Sequence, residues 1–399
     1  MGALKVFVVA GEPSGDALGG ALMAGLNQLA PGVVYEGVGG PLMQAQGLQS
    51  RFDMSELSVM GIAEVLPKYR HLKRRIAQTA QAVIDARPDV LITIDSPDFS
   101  LRVAKLVKAA TNIRTVHYVA PTVWAWRPGR ARKLAKMIDH VLALFPFEPP
   151  YMEAEGMACD FVGHPAATVP RATPDEIAQF RTAHGLDNAD PLVLVLPGSR
   201  RGEVGRMAPV FGAALAQVAQ TRPGMRLVLP AAGAVADLVR AETSTWAMEP
   251  LVLDPRSLSP EQALSQKRAA FAAADVALAT SGTVALELAA AGTPMVSAYD
   301  LHWLSRAIIS RMVTTDTGSL INHVTDTRVV PEVVGKDFTT PNVVSALENL
   351  LADPFKQSEA MERTMDLLRR GGEDPGVRAA RAVLDRHCSN GAPCGALHY

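Results

Sequence analysis

The sequence predicts an α/β protein with two domains, each built on a parallel sheet with helices on both faces. With 399 residues, the chain is too long for one ordinary core. Strand-like and helix-like segments alternate along it, which favours parallel sheets. Two glycine-bearing loops, at 11–16 and 198–203, directly follow apolar strand-like runs and open helical patterns. Loops of this kind begin Rossmann-like units, where free N–H groups and the helix dipole favour a bound anion. We therefore expect two Rossmann-like domains that face each other across a cleft and hold a phosphorylated ligand.

The individual strands are short, apolar and β-branched, as expected for strands buried on both faces. In the first half they are predicted at 4–10, 33–37, 90–94, 114–119 and 140–145, with helices near 15–29, 68–86 and 100–110. In the second half they are predicted at 192–196, 226–230, 250–253, 275–279 and 294–298, with helices at 205–220, 234–245, 260–273, 283–291 and 302–312.

The domain boundaries follow from composition. A Gly- and Pro-containing linker begins at 163, so the first domain is expected to span 1–165 and the second 166–341. Residues 342–388 contain helical patterns only, and we expect these helices to cross back onto the first domain. The Gly- and Pro-rich tail 389–399 is expected to be disordered.

Charge and cysteine usage exclude several classes of protein. The net charge is −1, from 39 basic and 40 acidic residues, which argues against a nucleic-acid binder. The odd set Cys159, Cys388 and Cys394 forms no disulfide framework and indicates a reducing, cytoplasmic compartment. No signal peptide and no apolar run of about 20 residues is visible, so any membrane contact is expected to be peripheral. The segments 68–75 and 127–136 each carry five Lys or Arg and no acid.

A second anion-binding turn follows the predicted strand 275–279. Ser281 is a typical N-cap residue, and Gly282 would allow a ligand close to the first helical turn. Free N–H groups from Gly282 and Thr283 onward could hold a pyrophosphate, and Glu287 shares their helix face, where it could accept the ribose hydroxyls. The alternative is an ordinary capped helix with a solvated acid at Glu287.

Arg200, in the loop that begins at Gly198, could neutralise a departing pyrophosphate. The alternative is a solvent-facing arginine. No His, Cys or Asp set has the spacing of a metal site, and the Gly37–Gly40 cluster lacks the third glycine of a dinucleotide fingerprint. We therefore expect neither a metal nor a cofactor.

Two acids follow the predicted strand 90–94, at the sheet edge where open α/β proteins place their chemistry. Asp95 is favoured as a general base for a hydroxyl. Asp98 is favoured as the cap of the following helix, although the reverse assignment stays open. Trp124 and Trp126 stand beside the basic run 127–136, which suits a membrane interface or a phosphosugar pocket. The alternative is a tryptophan pair in the core.

Several segments together form a distinctive combination, including Gly-Glu-Pro-Ser-Gly-Asp at 11–16 and Val-Trp-Ala-Trp-Arg at 123–127. The others are 39–43, 59–66, 94–99, 161–165, 196–200 and 281–283. In these the chain resembles the lipid A disaccharide synthases, which are inverting glycosyltransferases of the GT-B type. The resemblance runs from about residue 4 to about residue 331, and more loosely through the C-terminal helices.

The resemblance implies transfer of 2,3-diacylglucosamine from its UDP derivative to the 6-hydroxyl of 2,3-diacylglucosamine 1-phosphate, which gives a β-1,6 disaccharide 1-phosphate and UDP. It implies catalytic positions at Asp95, Glu12 and Ser14. It implies nucleotide-binding positions at Arg200, Ser281, Gly282, Thr283, Glu287 and Asn322. Where the family usually has Ser-Leu-Pro-Asn, this chain has Ile321 in place of the proline, so the loop that carries Asn322 lacks the rigidity of a proline.

The acylated substrates imply a protein on the cytoplasmic face of the bacterial inner membrane. The apolar run 59–66 beside the basic run 68–75 fits an interfacial patch, with an ordinary amphipathic helix as the alternative. Assembly into a homo-oligomer stays open. The rival functions are another UDP-GlcNAc-directed GT-B enzyme, such as a peptidoglycan-precursor transferase or a 2-epimerase, and a two-domain binding protein without catalysis.

Overall fold

The computed structural model describes residues 3–57, 62–125, 129–301 and 315–388. The chain divides into two compact units, here called unit 1 and unit 2. Unit 1 comprises the residues up to Pro165 together with those from Gly371 onward, and unit 2 runs from Ala166 to Arg370. Each unit contains a six-stranded parallel sheet flanked by helices, which confirms the predicted α/β class.

Unit 1 has the strand order β2-β1-β3-β4-β5-β6. The strands are β1 (Lys5–Ala10), β2 (Val34–Val38), β3 (Val90–Ile94), β4 (Arg114–Tyr118), β5 (His140–Ala143) and β6 (Ala158–Phe161). The helices are α1 (Pro13–Leu29), α2 (Pro41–Ala45), α3 (Ile62–Ala86), α4 (Pro97–Ala110), α5 (Gly129–Leu134) and α6 (Pro149–Glu153). A further helix near the C-terminus (Pro375–Cys388) completes this unit.

Unit 2 has the strand order β12-β11-β10-β7-β8-β9. Its strands are β7 (Leu192–Leu196), β8 (Arg226–Pro230), β9 (Leu251–Leu253), β10 (Val276–Ala279), β11 (Met295–Tyr299) and β12 (Glu332–Val334). Its helices are α7 (Pro174–Ala183), α8 (Arg201–Ala219), α9 (Ala236–Thr243), α10 (Pro260–Ala273), α11 (Val284–Ala291), α12 (Leu320–Thr325), α13 (Thr340–Ala352) and α14 (Ser358–Leu367). The helix Pro375–Cys388 of unit 1 is α15.

The register of the strands brings the site loops together within each unit. In unit 1, Ala10 of β1 lies opposite Ile94 of β3, and Ile94 lies opposite Tyr118 of β4. In unit 2, Leu196 of β7 lies opposite Ala279 of β10. Because all these strands are parallel, the loops that follow them leave the same edge of their sheet.

Residues 342–388 do not form one group of helices. In unit 2, α13 buries Val343, Leu347 and Leu350 in the hydrophobic core. In unit 1, α15 is tied to the sheet by Arg378, whose guanidinium donates to the Phe161 carbonyl at 2.6 Å. The prediction that the whole segment packs on the first domain is therefore wrong for α13 and α14. The physical reason is that α13 has an apolar face, which is buried in the core of unit 2, to which the preceding strands also belong.

Two strands were not predicted. β6 has four residues and β12 has three. They are short and include Asp160 and Glu332, so neither shows an apolar run long enough to indicate a buried strand. The predicted helix 302–312 lies outside the described residues, as do the tail 389–399 and the tip of the apolar run at 58–61. α3 begins at Ile62, earlier than the predicted start at 68.

Candidate active site

A cavity of about 710 Å³ opens in unit 2 where β7, β8, β9 and β10 end. Its size suits a small-molecule ligand. The predicted nucleotide-binding residues that line it are Arg200, Ser281, Gly282, Thr283 and Glu287. Asn322 does not line it. The structure thus brings together residues that are separated by about 80 positions in the sequence.

The turn between β10 and α11 forms one wall of this cavity. Gly282 has φ +151°, a conformation that side-chain-bearing residues rarely adopt, and the position of a Cβ there would have no atom within 4 Å. The space above this turn is therefore open to a ligand. The N-cap of α11 is Thr283, so the expectation that Ser281 caps the helix is wrong. Instead, the Ser281 hydroxyl donates to the Gly318 carbonyl at 3.3 Å.

Glu287 stands in the first turn of α11, as predicted, but its carboxylate already has a partner. The ammonium of Lys267, on α10, lies 2.5 Å from Glu287 Oε2. Lys267 also lines the cavity, and its ammonium lies 5.3 Å from the centroid of the Phe271 ring. Lys267 could not be predicted as a site residue from the sequence, because nothing in the pattern of α10 relates it to the first turn of another helix.

Arg200 also has a carboxylate partner, Glu203, which the sequence analysis did not identify as a site residue. The Arg200 guanidinium donates to Glu203 Oε1 at 2.8 Å. Glu203 Oε2 accepts the backbone N–H groups of Ser199 at 3.0 Å and Arg200 at 3.2 Å. Glu203 therefore satisfies N–H groups at the start of α8 that could otherwise bind an anion. The spacing of three residues between Arg200 and Glu203 is the signal that could have revealed this arrangement.

Asn322 is buried and bonded within the protein. Its amide donates to the Val330 carbonyl at 2.9 Å, and its side-chain oxygen accepts the Val330 N–H at 3.0 Å. The amide also lies 3.3 Å from Glu332, which accepts the Gly318 N–H at 2.8 Å. Since the Gly318 carbonyl in turn accepts the Ser281 hydroxyl, Asn322 is linked through Glu332 and Gly318 to the turn at 281–283. Its predicted direct contact with the nucleotide stays a prediction.

In unit 1, the two residues that follow β3 have an unusual backbone conformation. Asp95 has φ +46° and Ser96 has φ +44°, and neither is a glycine. Such conformations cost about 1–3 kcal/mol each and concentrate at functional sites. Burial raises the pKa of the Asp95 carboxyl, against the opposing effect of a hydrogen bond from the Ser96 N–H. A carboxylate that holds its proton more tightly than usual is a stronger base, as the predicted role requires.

The residue that caps α4 is not the one expected. The N-cap of α4 is Ser96, and Asp98 lies exposed inside the first turn of the helix. The prediction that Asp98 caps α4 is therefore wrong, because Pro97 takes the first helical position and the cap lies at Ser96, two residues before Asp98. Asp98 can still interact favourably with the positive end of the helix dipole.

The loop 11–16 lies beside Asp95. The position of a Cβ on Gly11 would be 2.8 Å from Ser96 Oγ, so the two loops touch. Glu12 is the N-cap residue of α1, and Ser14 is exposed in its first turn. Asp16 has a structural function, because its buried carboxylate accepts the N–H groups of Gly40, Leu42 and Met43 at 2.8–3.1 Å. This contact fixes the turn before α2.

Trp124 belongs to the core of this unit, with 9% of its surface exposed. Its ring packs edge to face against Phe147, with centroids 5.2 Å apart. The core interpretation is thus the right one for Trp124, whereas Trp126 and Arg127 lie outside the described residues. Near Trp124, the Glu148 carboxyl is buried and accepts the N–H groups of Leu144 and Phe145, each at 3.0 Å. Burial raises the pKa of Glu148 to about 8.

The basic run 68–75 lies on α3. Arg70, Lys73 and Arg74 are exposed, and so is Tyr69. Arg75 forms a two-point ion pair with Glu56, and its guanidinium lies 4.4 Å from the Phe52 ring centroid. Among the described ranges, no helix is long and apolar enough to cross a bilayer. Within the same ranges, no group of three or more His, Cys, Asp or Glu side chains could hold a metal ion.

Solved structures with this architecture include sugar-nucleotide enzymes. A UDP-GlcNAc 2-epimerase from Neisseria meningitidis, bound to UDP-GlcNAc, has a TM-score of 0.62 and 13% identity, and the match covers 97% of this chain and 100% of that one. The calicheamicin glycosyltransferase CalG4 has a TM-score of 0.56 and 16% identity, and the match covers 98% of this chain and 100% of that one. Likeness at this level of identity shows the fold alone, which is the GT-B architecture of two Rossmann-like units.

Sequence relatives are more specific. A lipid-A-disaccharide synthase from Ruegeria pomeroyi is 64% identical over 383 residues, which cover 96% of this chain and 95% of that protein. Another, from Rhodospirillum centenum, is 44% identical over 387 residues, which cover 96% and 94%. The family model for lipid-A-disaccharide synthetase matches residues 6–382. With both the family model and these relatives spanning nearly its whole length, the chain belongs to the lipid-A-disaccharide synthetase family.

Proposed function

We propose that the protein joins two acylated glucosamines. The 6-hydroxyl oxygen of 2,3-diacylglucosamine 1-phosphate attacks the anomeric carbon of UDP-2,3-diacylglucosamine. The bond between that carbon and the UDP oxygen breaks, and the hydroxyl proton passes to a base. The products are the β-1,6 disaccharide 1-phosphate and UDP. The family membership of the chain, together with the cavity in unit 2, is the observation that carries this proposal.

In this proposal Asp95 is the base. It follows a central strand of unit 1, its pKa is raised by burial, and the unusual backbone of Asp95 and Ser96 fixes its position. A positioned general base contributes about 10²–10⁴-fold to the rate. Glu12 and Ser14, at the start of α1, would orient the acceptor sugar beside it.

The cavity in unit 2 would hold the UDP group. The open turn at Gly282 supports a pyrophosphate at the start of α11, and Arg200 supplies a positive charge to the departing phosphate. Ser281 and Thr283 would help to shape this turn, and Glu287 would accept the ribose hydroxyls. The other UDP-GlcNAc-directed enzymes considered above are not favoured, because the family model and the sequence relatives agree on one activity.

The reaction is tested by the release of UDP. Purified protein is mixed with UDP-2,3-diacylglucosamine, with and without the monophosphate acceptor, and UDP and disaccharide are quantified. We expect both products in equal amounts, and only when the acceptor is present. UDP release that does not need the acceptor, or a product without a new glycosidic bond, would contradict the proposed reaction.

We also propose that the protein works at the cytoplasmic face of the inner membrane, because both substrates carry acyl chains. The exposed Arg70, Lys73 and Arg74 on α3 would face anionic lipid, where each basic residue contributes about 1 kcal/mol at low salt. Changing all three to Ser should reduce pelleting with anionic vesicles. The matched control changes the exposed Lys336, Lys356 and Arg363 of unit 2 to Ser. Equal losses in both variants would contradict a specific surface on α3.

A further inference from the structure

The nucleotide cavity contains two pairs of opposite charges. The basic residues that line it are Arg200 and Lys267, and the acidic ones are Glu203 and Glu287. Arg200 is paired with Glu203 and Lys267 with Glu287. Within each pair the positive and negative charges therefore cancel, at the place where an anionic ligand is expected to bind.

In the pair of Arg200 and Glu203 the carboxylate is held firmly, whereas the arginine side chain is 62% exposed. The Glu203 carboxylate accepts three hydrogen bonds, two of them from the backbone at the start of α8, and 24% of its side chain is exposed. Because two of its donors are backbone groups, this carboxylate cannot leave without exposing unsatisfied N–H groups. Arg200 is thus guided by an immobile partner.

The pair of Lys267 and Glu287 is held loosely. Their side chains are 43% and 40% exposed, and water screens ion pairs at such positions. Glu287 Oε2 is buried against the ammonium, 2.5 Å away, and no other partner of this oxygen is found among the described residues. Once the ammonium leaves, the oxygen can accept a hydrogen bond from a ligand.

The proposed role of Glu287 conflicts with this pairing. Ribose offers two hydroxyls, and to accept both of them with its two oxygens the carboxylate must also present Oε2, which Lys267 now covers. A nucleoside diphosphate also brings a phosphate, which attracts an ammonium strongly. The Phe271 ring, whose face lies 5.3 Å from the ammonium, can keep the cation at the cavity wall while it changes partner.

We propose that Lys267 is a further nucleotide-binding residue, which leaves Glu287 for a phosphate of the ligand when a nucleoside diphosphate enters the cavity. The ribose hydroxyls then replace the ammonium at Glu287. This inference rests on the proposed function, since it assumes that the cavity holds UDP. Binding of the ribose requires the ion pair of Lys267 and Glu287 to break, and the phosphate offsets that cost because it gives the ammonium a new partner. Uridine has no phosphate and therefore no such compensation.

The test is the change Lys267→Met, which keeps the length of the side chain and removes its charge. We expect the affinity for UDP, measured by calorimetry, to fall at least about fivefold. We expect the affinity for uridine, measured by ligand-observed NMR, to stay equal or increase, because Glu287 no longer needs to be released. Lys267→Arg should retain most of the affinity for UDP.

The matched control is Lys108→Met in unit 1. In the wild type the Lys108 ammonium lies 2.6 Å from Asp139, with side chains 31% and 41% exposed. The change therefore removes a comparable ion pair between two residues that do not line the cavity. It should change neither affinity. An unchanged affinity of Lys267→Met for UDP, or an equal fall for UDP and uridine, would overturn the inference. A wild-type protein that does not bind UDP would instead overturn the proposed nucleotide site.

Discussion

The loops that follow β3 in unit 1 and β10 in unit 2 solve different problems at equivalent edges of their sheets. After β3, two residues that are not glycine adopt positive φ angles, and a partly buried carboxylate is held at Asp95. After β10, a glycine adopts the unusual angle and leaves open space at Gly282. In the proposed function, the strained backbone of the first loop positions a reactive side chain. The glycine of the second loop leaves room for the nucleotide.

The largest effect should come from the loop after β3. Asp95→Asn keeps the shape of the side chain but cannot take up a proton, so turnover should fall about 10²–10⁴-fold. The affinity for UDP and the melting temperature should change little, because burial already disfavours the charged form of Asp95. In the wild type, the acid limb of the pH–rate profile should lie above the ordinary carboxyl range, since a base must be ionised to act.

The control for this prediction is Asp98→Asn. Asp98 is exposed in the first turn of α4 and makes the same chemical change possible three residues away. It should leave turnover within about twofold and lower stability by roughly 0.3–1 kcal/mol through the helix dipole. If Asp98→Asn abolishes turnover and Asp95→Asn does not, the assignment of the base is reversed.

The loop after β10 is tested by Gly282→Ala. A methyl group fits the open space but not the backbone angle, so the turn must move, at a cost of about 1–3 kcal/mol. We expect the affinity for UDP to fall about tenfold, as read by calorimetry. Gly32→Ala is the matched control, because Gly32 also has a positive φ, of +91°, with no atom near the position of a Cβ. It should lose stability and keep its affinity for UDP.

These two loops also show what the sequence could predict. The strands that lead into them are short runs of mainly apolar residues, so their positions and the sheet edge were predictable. Asp95, Gly282 and Arg200 were predictable as site candidates because they follow such strands directly. Their partners were not, because Lys267 reaches Glu287 from a different helix, and the contact depends on how α10 packs against α11.

The structural roles of two polar residues, Asp16 and Asn322, were also difficult to predict. Asp16 lies in the same motif as Glu12 and Ser14, but only the fold shows that it caps the turn before α2. The family resemblance implied a nucleotide-binding position at Asn322, and the structure shows that its buried amide is bonded to the backbone of Val330. In both cases the sequence indicates that a polar group is needed, and tertiary contacts determine what it binds.

Glu148 is another buried carboxyl of unit 1, and the proposed mechanism gives it no part in the reaction. Its pKa is raised from 4.5 to about 8, so between these values the folded protein keeps a proton that the unfolded chain releases. Stability is therefore lost as the pH rises through this window. Glu148→Gln keeps acceptors for Leu144 and Phe145 but does not titrate. From pH 5 to pH 8, we expect the wild type to lose roughly 1–3 kcal/mol relative to the variant.

Thermal melts of both proteins at several pH values measure this difference. The control is Glu153→Gln, which makes the same change at an exposed position on α6. It should follow the wild type at every pH. Parallel melting curves for the wild type and Glu148→Gln would mean that the buried carboxyl is ionised in the folded state. A changed turnover in Glu148→Gln would give this residue a part in the chemistry that we assign to Asp95.

The smallest effect should come from Glu203, which supports the loop after β7 beside the open turn. Glu203→Gln retains an oxygen for the N–H groups of Ser199 and Arg200 but loses the charge that guides the guanidinium of Arg200. We expect UDP to bind about two- to fivefold more weakly, as befits a partly exposed ion pair, and uridine to bind as before. In an Arg200→Ala background the same change should have no further effect, because Glu203 acts through Arg200.

Glu176→Gln is the matched control for this prediction. Glu176 also closes the start of a helix, accepts the Thr173 N–H and pairs with an arginine, Arg268, that does not line the cavity. It should lower stability about as much as Glu203→Gln does and leave the affinity for UDP unchanged. Tighter binding of UDP by Glu203→Gln would mean that this carboxylate repels the phosphates, and that the loop after β7 limits affinity instead of supporting it.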